Sequence, residues 1–389
     1  MIEREIETEL LQLLQEYPVV TLLGPRQAGK TTLAKKLVSI ADYQYCNLEV
    51  PENRDFAAYD PKAFLRQFKG KTILDEIQRV PMLLSYIQAR VDENMINGEF
   101  VLTGSHQLEL RAAVGQSLAG RTAVLHLLPL SIAELGRANL GFNDFESYAF
   151  HGFLPRIYDQ KQRPTRAWSN YYQTYVERDV RLMINVKDTA LFEKFIKLLA
   201  GRVGQVLNLA SLANDVGVHA KTIGHWLSIL EASFIIFKLP PYFENFGKRV
   251  IKSPKYYFID VGLLVFLLGI ERPEQVARDP LVGSIFENMV LIELLKMRMN
   301  RGKLPNIYYY RDSNGNEIDV LLQMGSSLTA IEIKSSSTFH ISQFAAIDRI
   351  KQRTGKITGS ILIYNGEPRI LSDQKRMLHF DQITRVEGC

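Results

Sequence analysis

GPRQAGKT, residues 24–31, restricts this chain more than any other stretch. It carries G-x-x-x-x-G-K-[ST] at every fixed position, with the β-branched run VVTLL before it and a helical pattern, TLAKKLV, after it. A strand, a glycine-bounded loop and a helix in that order wrap main-chain N–H groups around a phosphate. Gly24 and Gly29 let the loop turn inward, and Pro25, Arg26, Gln27 and Ala28 supply the backbone between them. Lys30 brings a point charge to the β- and γ-phosphates, Thr31 a hydroxyl to Mg²⁺, and Thr32 continues a helix N-terminus whose dipole favours anions. The spacing predicts a nucleotide site on a parallel α/β sheet, with ATP and Mg²⁺ as its occupants.

Such a site needs carboxylates. KTILDEIQRVP (71–81) reads as a buried strand ending in Asp75 and Glu76. Asp75 is expected in the Mg²⁺ shell, and Glu76 is expected to polarise the attacking water; an acid pair that only caps the next turn is the plainer alternative. An acid directly after the magnesium aspartate points to ATPases with one extra strand between the two motifs. YQYCNLEV (43–50) is a strand candidate in the intervening sequence, and GEFVLTGSHQ (98–107) forms a further strand. There Thr103 or Ser105 is placed to sense the γ-phosphate, with Ser105 preferred. Arg121 (SLAGRT), Arg178 and Arg181 (YVERDVR) are candidates for transition-state charge, in cis or from a neighbouring copy, which admits a homo-oligomer.

The 389 residues, 46% hydrophobic and 23% charged, are those of a globular chain of two to four domains. Two cysteines, Cys46 and Cys389, are too few for a disulfide framework and fit a reducing cytoplasm. The charged, amphipathic MIEREIETELLQLLQ does not read as a secretory signal. The longest apolar run, VGLLVFLLGI (261–270), falls short of the roughly 20 residues that span a bilayer, so no membrane partner is expected. A net charge of +5 permits nucleic-acid contact without arguing for it.

Beyond the first domain (1–135), residues 136–190 follow a helical pattern. From 191 to 279 the pattern is that of a winged helix-turn-helix: a helix over 191–204, a second over 207–218 that stops at Gly217, a third over 219–234, then two strands around a loop. Lys221, Thr222 and His225 face outward from the third helix, and Lys238, Lys248, Arg249, Lys252 and Lys255 gather in the wing. DNA is the partner this surface predicts, through phosphate contacts; a protein–protein spacer is the alternative.

GPRQAGKTTL, ILDEIQRVP, VLTGS, SLAGR, YVERDV and KRVIKSPKYYFIDVGL, taken as an ordered set, resemble the bacterial and archaeal AAA-type ATPases that carry a DUF4143 C-terminal region. The resemblance runs over nearly the whole chain. It implies a P-loop ATPase core of the AAA type, a winged helix, and a C-terminal α/β domain (280–389) similar to the PD-(D/E)xK, or restriction-endonuclease-like, nucleases. HGFLP at 151–155 departs from the Gly-Gly pair of many relatives.

That C-terminal likeness gives a reason for charges that strands rarely carry. Asp319 in EIDVLL and Glu332 with Lys334 in AIEIKS fall on two neighbouring strands, after a helix that holds Glu287. Asp319 and Glu332, completed by Glu287, are expected to share Mg²⁺ or Mn²⁺, with Lys334 handling the attacking water. A cross-strand salt bridge is the competing explanation, and a nuclease fold that binds without cutting is the competing function.

Overall fold

A computed structural model of the chain describes residues 2–105, 117–181, 188–242, 253–352, 354–372 and 374–388, without the side chains of residues 178, 179, 387 and 388. It divides into two compact units: Met1–Leu130 with Ala232–Phe234 and Met299–Lys303, and Ser131–Glu231 with Ile235–Arg298 and Leu304–Cys389.

The first unit is built on five strands, β1 (Val19–Leu23), β2 (Gln44–Asn47), β3 (Thr72–Asp75), β4 (Phe100–Gly104) and β5 (Thr122–His126). They pair in the order β2-β3-β4-β1-β5, all parallel. A parallel sheet covered on both faces asks for continuous apolar strands, and β1, β3 and β4 are buried at every position. Helix α1 (Glu7–Glu16) gives Leu10 and Leu14, and helix α2 (Lys30–Ala41) gives Leu33 and Leu37, to one core with Val20, Leu22, Ile73, Val101 and Leu125. The strand between the two motif-bearing strands is β4, drawn from the 98–107 run. YQYCNLEV takes the sheet edge as β2, so the extra strand comes from after the second motif, not from between the two.

In the second unit a helix (Thr189–Ala200) precedes α3 (Leu209–Val216) and α4 (Ala220–Ala232). Gly217, at φ +94°, closes α3 in the left-handed region where a side chain would be strained. β6 (Ile236–Leu239) and β7 (Lys255–Phe258) then pair antiparallel. Lys248, Arg249 and Lys252 lie outside the described residues, between those two strands.

The C-terminal part runs α5 (Val282–Met299), β8 (Ile307–Arg311), β9 (Glu317–Met324), β10 (Ser327–Lys334), α6 (Ala345–Lys351), β11 (Ile357–Tyr364), β12 (Arg369–Ser372) and β13 (Lys375–His379). The strands form one mixed sheet in the order β12-β13-β11-β10-β9-β8; β8, β9 and β10 are antiparallel neighbours, and β11 runs parallel to β10. Packing crosses the boundary expected at residue 280. The Tyr242 N–H donates to the Tyr309 carbonyl at 2.8 Å, and the Tyr309 N–H donates to the Pro240 carbonyl at 3.1 Å. The Tyr242 ring is buried in the same core as Tyr310, Ile318, Leu321 and Phe344. A chain cut at 280 would lose that ring and expose the wall it covers.

Candidate functional site

The loop after β1 closes on the N-terminus of α2, which begins at Lys30. Backbone approach explains why position 24 is glycine: a Cβ there would stand 2.1 Å from the Leu127 carbonyl oxygen, which cannot retreat without breaking the strand end. Gly29, at φ +96°, provides the left-handed residue that aims the first helical N–H groups into the loop. Gln27 also has a positive φ, and Ala28 is wholly buried. Arg4, in the N-terminal segment, supports the loop from behind: its guanidinium donates to the Ala28 carbonyl at 2.7 Å and to the Leu128 carbonyl at 2.6 Å.

Lys30 is 5% exposed and folded back over the loop, donating to the carbonyls of Gly24 and Pro25 at 2.8 Å each. Burial pulls its pKa down to about 8, against the opposing pull of the Glu76 and Asp75 charges. Those two carbonyls hold the ammonium where a phosphate would take it over.

β3 ends beside this loop. The Thr31 hydroxyl donates to Asp75 Oδ2 at 2.9 Å, which brings the two expected magnesium-shell groups into contact. Thr103, at the end of β4, donates to Asp75 Oδ1 and accepts the Glu76 N–H at 3.1 Å. Glu76 itself sits at φ +60°, ψ +49°, a left-handed conformation that costs a non-glycine residue on the order of 1 kcal/mol or more. This turn points its carboxylate at Ser105, whose hydroxyl donates to Glu76 Oε2 at 3.1 Å. The Gln78 amide donates to the same carboxylate oxygen and to the Ser105 hydroxyl, the latter at 3.2 Å. The four expected residues Thr31, Asp75, Glu76 and Ser105 therefore meet, with Lys30 in the same loop. Thr103 and Ser105 divide the work, one on each acid.

Arg121 is placed otherwise. It precedes β5, its carbonyl accepts from Val19 at the start of β1, and its guanidinium forks onto Asp92 at 2.5 and 2.9 Å. In a parallel sheet that is the end opposite the loop, so a role on its own chain's phosphate is corrected by the strand direction. The Arg181 Nε donates to the Glu177 carbonyl at 3.0 Å; the Arg178 side chain lies outside the described residues.

Sequence reasoning misses Arg4, Gln78 and Tyr45. The Tyr45 hydroxyl donates to Asp75 Oδ2 at 2.6 Å. An aromatic in a short strand reads as core, and only the sheet order reveals that β2 runs beside β3.

The C-terminal charges gather differently from the expected metal set. Lys334 Nζ stands 2.7 Å from Glu332 and 3.7 Å from Asp319, and the Ile333 N–H donates to Asp319 Oδ2 at 2.8 Å. Glu287 faces Tyr257, whose hydroxyl donates to it at 2.5 Å, and Lys255 at 3.4 Å. Lys255 also pairs with Glu317 at 2.6 Å. Burial, then the Asp319 charge, pushes both Glu287 and Glu332 up to about 7. Burial opposes the charge on Lys255, but Glu287, Glu317 and Asp319 outweigh it and hold its pKa above the usual value. Among the described residues no three His, Cys, Asp or Glu side chains could hold a metal ion as placed. Two ammoniums, of Lys255 and Lys334, thus face four carboxylates, of Glu287, Glu317, Asp319 and Glu332, and the buried Glu332 Oε2 has no hydrogen-bond partner. Lys255, expected on a DNA-facing wing, is 2% exposed and points into this cluster.

Residues 16–136 match the AAA domain family, 142–274 a domain of unknown function (DUF8612), and 282–383 the domain of unknown function DUF4143. A protein of Mycobacterium tuberculosis is 30% identical over 98% of this chain and 84% of its own length, and one of Haemophilus influenzae is 26% identical over 86% of each; both are described as uncharacterized. Among solved structures, a Walker-type ATPase of Pyrococcus abyssi is 15% identical, covering 69% of this chain and 96% of that one, at a TM-score of 0.43.

Proposed function

This chain belongs to the AAA-type P-loop ATPases that carry a DUF4143 region, and on that footing we propose that it binds ATP with Mg²⁺ at the loop of residues 24–31 and hydrolyses it. The observation that carries this reading is the meeting of Thr31, Asp75, Glu76 and Ser105 at the ends of neighbouring strands, within one loop of Lys30.

Each side chain has a definable task. Lys30 leaves the Gly24 and Pro25 carbonyls for the phosphates, at little cost because an equal number of charge-assisted contacts replaces them. Thr31 and Asp75, already in hydrogen-bond contact, are the residues that would hold Mg²⁺. The ion, when bound, neutralises charge on the phosphate oxygens. Glu76 orients and polarises the attacking water, and Ser105 fixes that carboxylate and reports on the γ-phosphate. Arg121 is left as a group that a neighbouring copy would present. The test is phosphate release from ATP by the full chain, with the variants argued in the Discussion.

ATP binding is proposed to drive the second unit as a nucleic-acid-binding module. The support is one face of α4: Lys221, His225 and Ser228 are exposed there while Ile223, Trp226, Leu227 and Leu230 are buried, and Lys238 is exposed on β6. Lys221→Glu with Lys238→Glu is expected to weaken duplex DNA binding and to flatten its salt dependence, by about 0.9 in log–log slope for each phosphate left unneutralised. Unchanged affinity across several salt concentrations would assign this face to a protein partner instead.

For the C-terminal sheet we propose a binding platform in place of a metal-dependent nuclease. The support is Lys334, whose ammonium stands 2.7 Å from Glu332 and 3.7 Å from Asp319 and competes with a cation for both acids. Titration of the full chain with Mn²⁺, the Walker site filled beforehand with Mg²⁺ and a non-hydrolysable ATP analogue, is expected to show no further ion bound. Binding that disappears in Asp319→Ala would restore the nuclease reading.

A further inference from the structure

We propose that Tyr45 is a positioning residue of the magnesium site, acting through Asp75. This inference rests on the ATPase reading and adds a residue to it. Three hydroxyls converge on the Asp75 carboxylate: Tyr45 and Thr31 donate to Oδ2 at 2.6 and 2.9 Å, and Thr103 donates to Oδ1. Thr31 and Thr103 are parts of the loop helix and of β4. Tyr45 comes from the edge strand, where its ring also packs against the core of the first unit.

The register supplies the reach. β2 pairs with β3 so that Tyr45 lies opposite Ile73 and Asn47 opposite Asp75. Asp75 is thus the diagonal neighbour of Tyr45 on the same face, a separation that a tyrosine spans and a shorter polar side chain does not. The ring is held from the other side as well. Lys35, one helical turn beyond Thr31 on α2, places its Nζ 4.8 Å from the ring centre. Helix α2 therefore grips Asp75 through Thr31 and Tyr45 through Lys35, and Tyr45 closes the loop between them.

A carboxylate with three fixed donors presents one face and one rotamer to the cation. Removing the Tyr45 hydroxyl leaves Oδ2 with Thr31 alone, whose hydroxyl is itself a group that would turn to the ion. Loss of an outer-shell hydrogen bond of this kind lowers metal affinity by roughly 10- to 100-fold.

Tyr45→Phe keeps the ring, its packing and its place beside Lys35, and removes only the donor. The experiment measures binding of a non-hydrolysable ATP analogue to the full chain, in EDTA and across a Mg²⁺ titration. The wild type is expected to bind more tightly as Mg²⁺ rises. Tyr45→Phe is expected to need roughly tenfold more Mg²⁺ for the same tightening, with the EDTA affinity unchanged. A Tyr45→Phe curve superimposed on the wild type overturns the inference and leaves the ATP site standing. An equal loss in EDTA overturns it too, by showing a packing role. A wild type whose affinity ignores Mg²⁺ sinks both the inference and the ATPase reading beneath it.

Discussion

Lys30→Ala is expected to lower ATP affinity by roughly 10- to 100-fold and turnover by about 10³. The ammonium is buried under the loop and bonded to main-chain carbonyls, so it is positioned for a ligand and not for an ion pair within the fold. Alanine leaves the phosphates facing the loop's N–H groups without the ammonium that tracks negative charge onto the leaving oxygen. The fold should survive, because the loop shape is set by Gly24, Gly29 and Arg4. Equilibrium titration with a fluorescent ATP analogue, with phosphate release measured in parallel, checks both numbers. An unchanged affinity would place the nucleotide elsewhere.

Glu76→Gln is expected to separate binding from chemistry. Glutamine keeps the shape of the side chain and can still accept from Ser105, but it cannot take charge from the water. Loss of a positioned general base costs about 10²- to 10⁴-fold. ATP affinity should stay within a few-fold of the wild type, since Asp75, Thr31 and Lys30 are untouched. The variant should therefore trap ATP with Mg²⁺, readable as unhydrolysed ATP recovered from the protein after gel filtration. Wild-type turnover in Glu76→Gln would move the base to another residue.

What was legible in the chain follows from how local each signal is. GPRQAGKT specifies its own loop, because glycines, lysine and threonine act within eight consecutive residues. Asp75 and Glu76 are legible as a strand end, and the second acid already implies the extra strand that β4 provides. The identity of that strand is not local: which run inserts between β1 and β3 depends on pairing across the sheet, and the earlier run, YQYCNLEV, ends at the edge. Tyr45 was hidden for the same reason, since nothing in QYCN marks a hydroxyl that reaches the next strand. Lys255 shows the converse. Among lysines in a basic segment it reads as solvent-facing, yet β7 turns it into a pocket of carboxylates from α5 and β9. Arg121 could be read as near the phosphates only while strand direction was unknown. In the C-terminal sheet the acids and the lysine were legible as a group. Their charge balance was not, because it depends on which ammonium falls closest to which carboxylate.

The most direct test of the account is ATP hydrolysis by the purified full chain. ADP and inorganic phosphate are measured with Mg²⁺, with EDTA in its place, and with Glu76→Gln as the control. The account predicts equal amounts of ADP and phosphate from the wild type, abolished by EDTA, and about a hundredfold less or lower still from Glu76→Gln although that variant binds ATP. A wild type that binds ATP with Mg²⁺ and turns it over no faster than Glu76→Gln would contradict it.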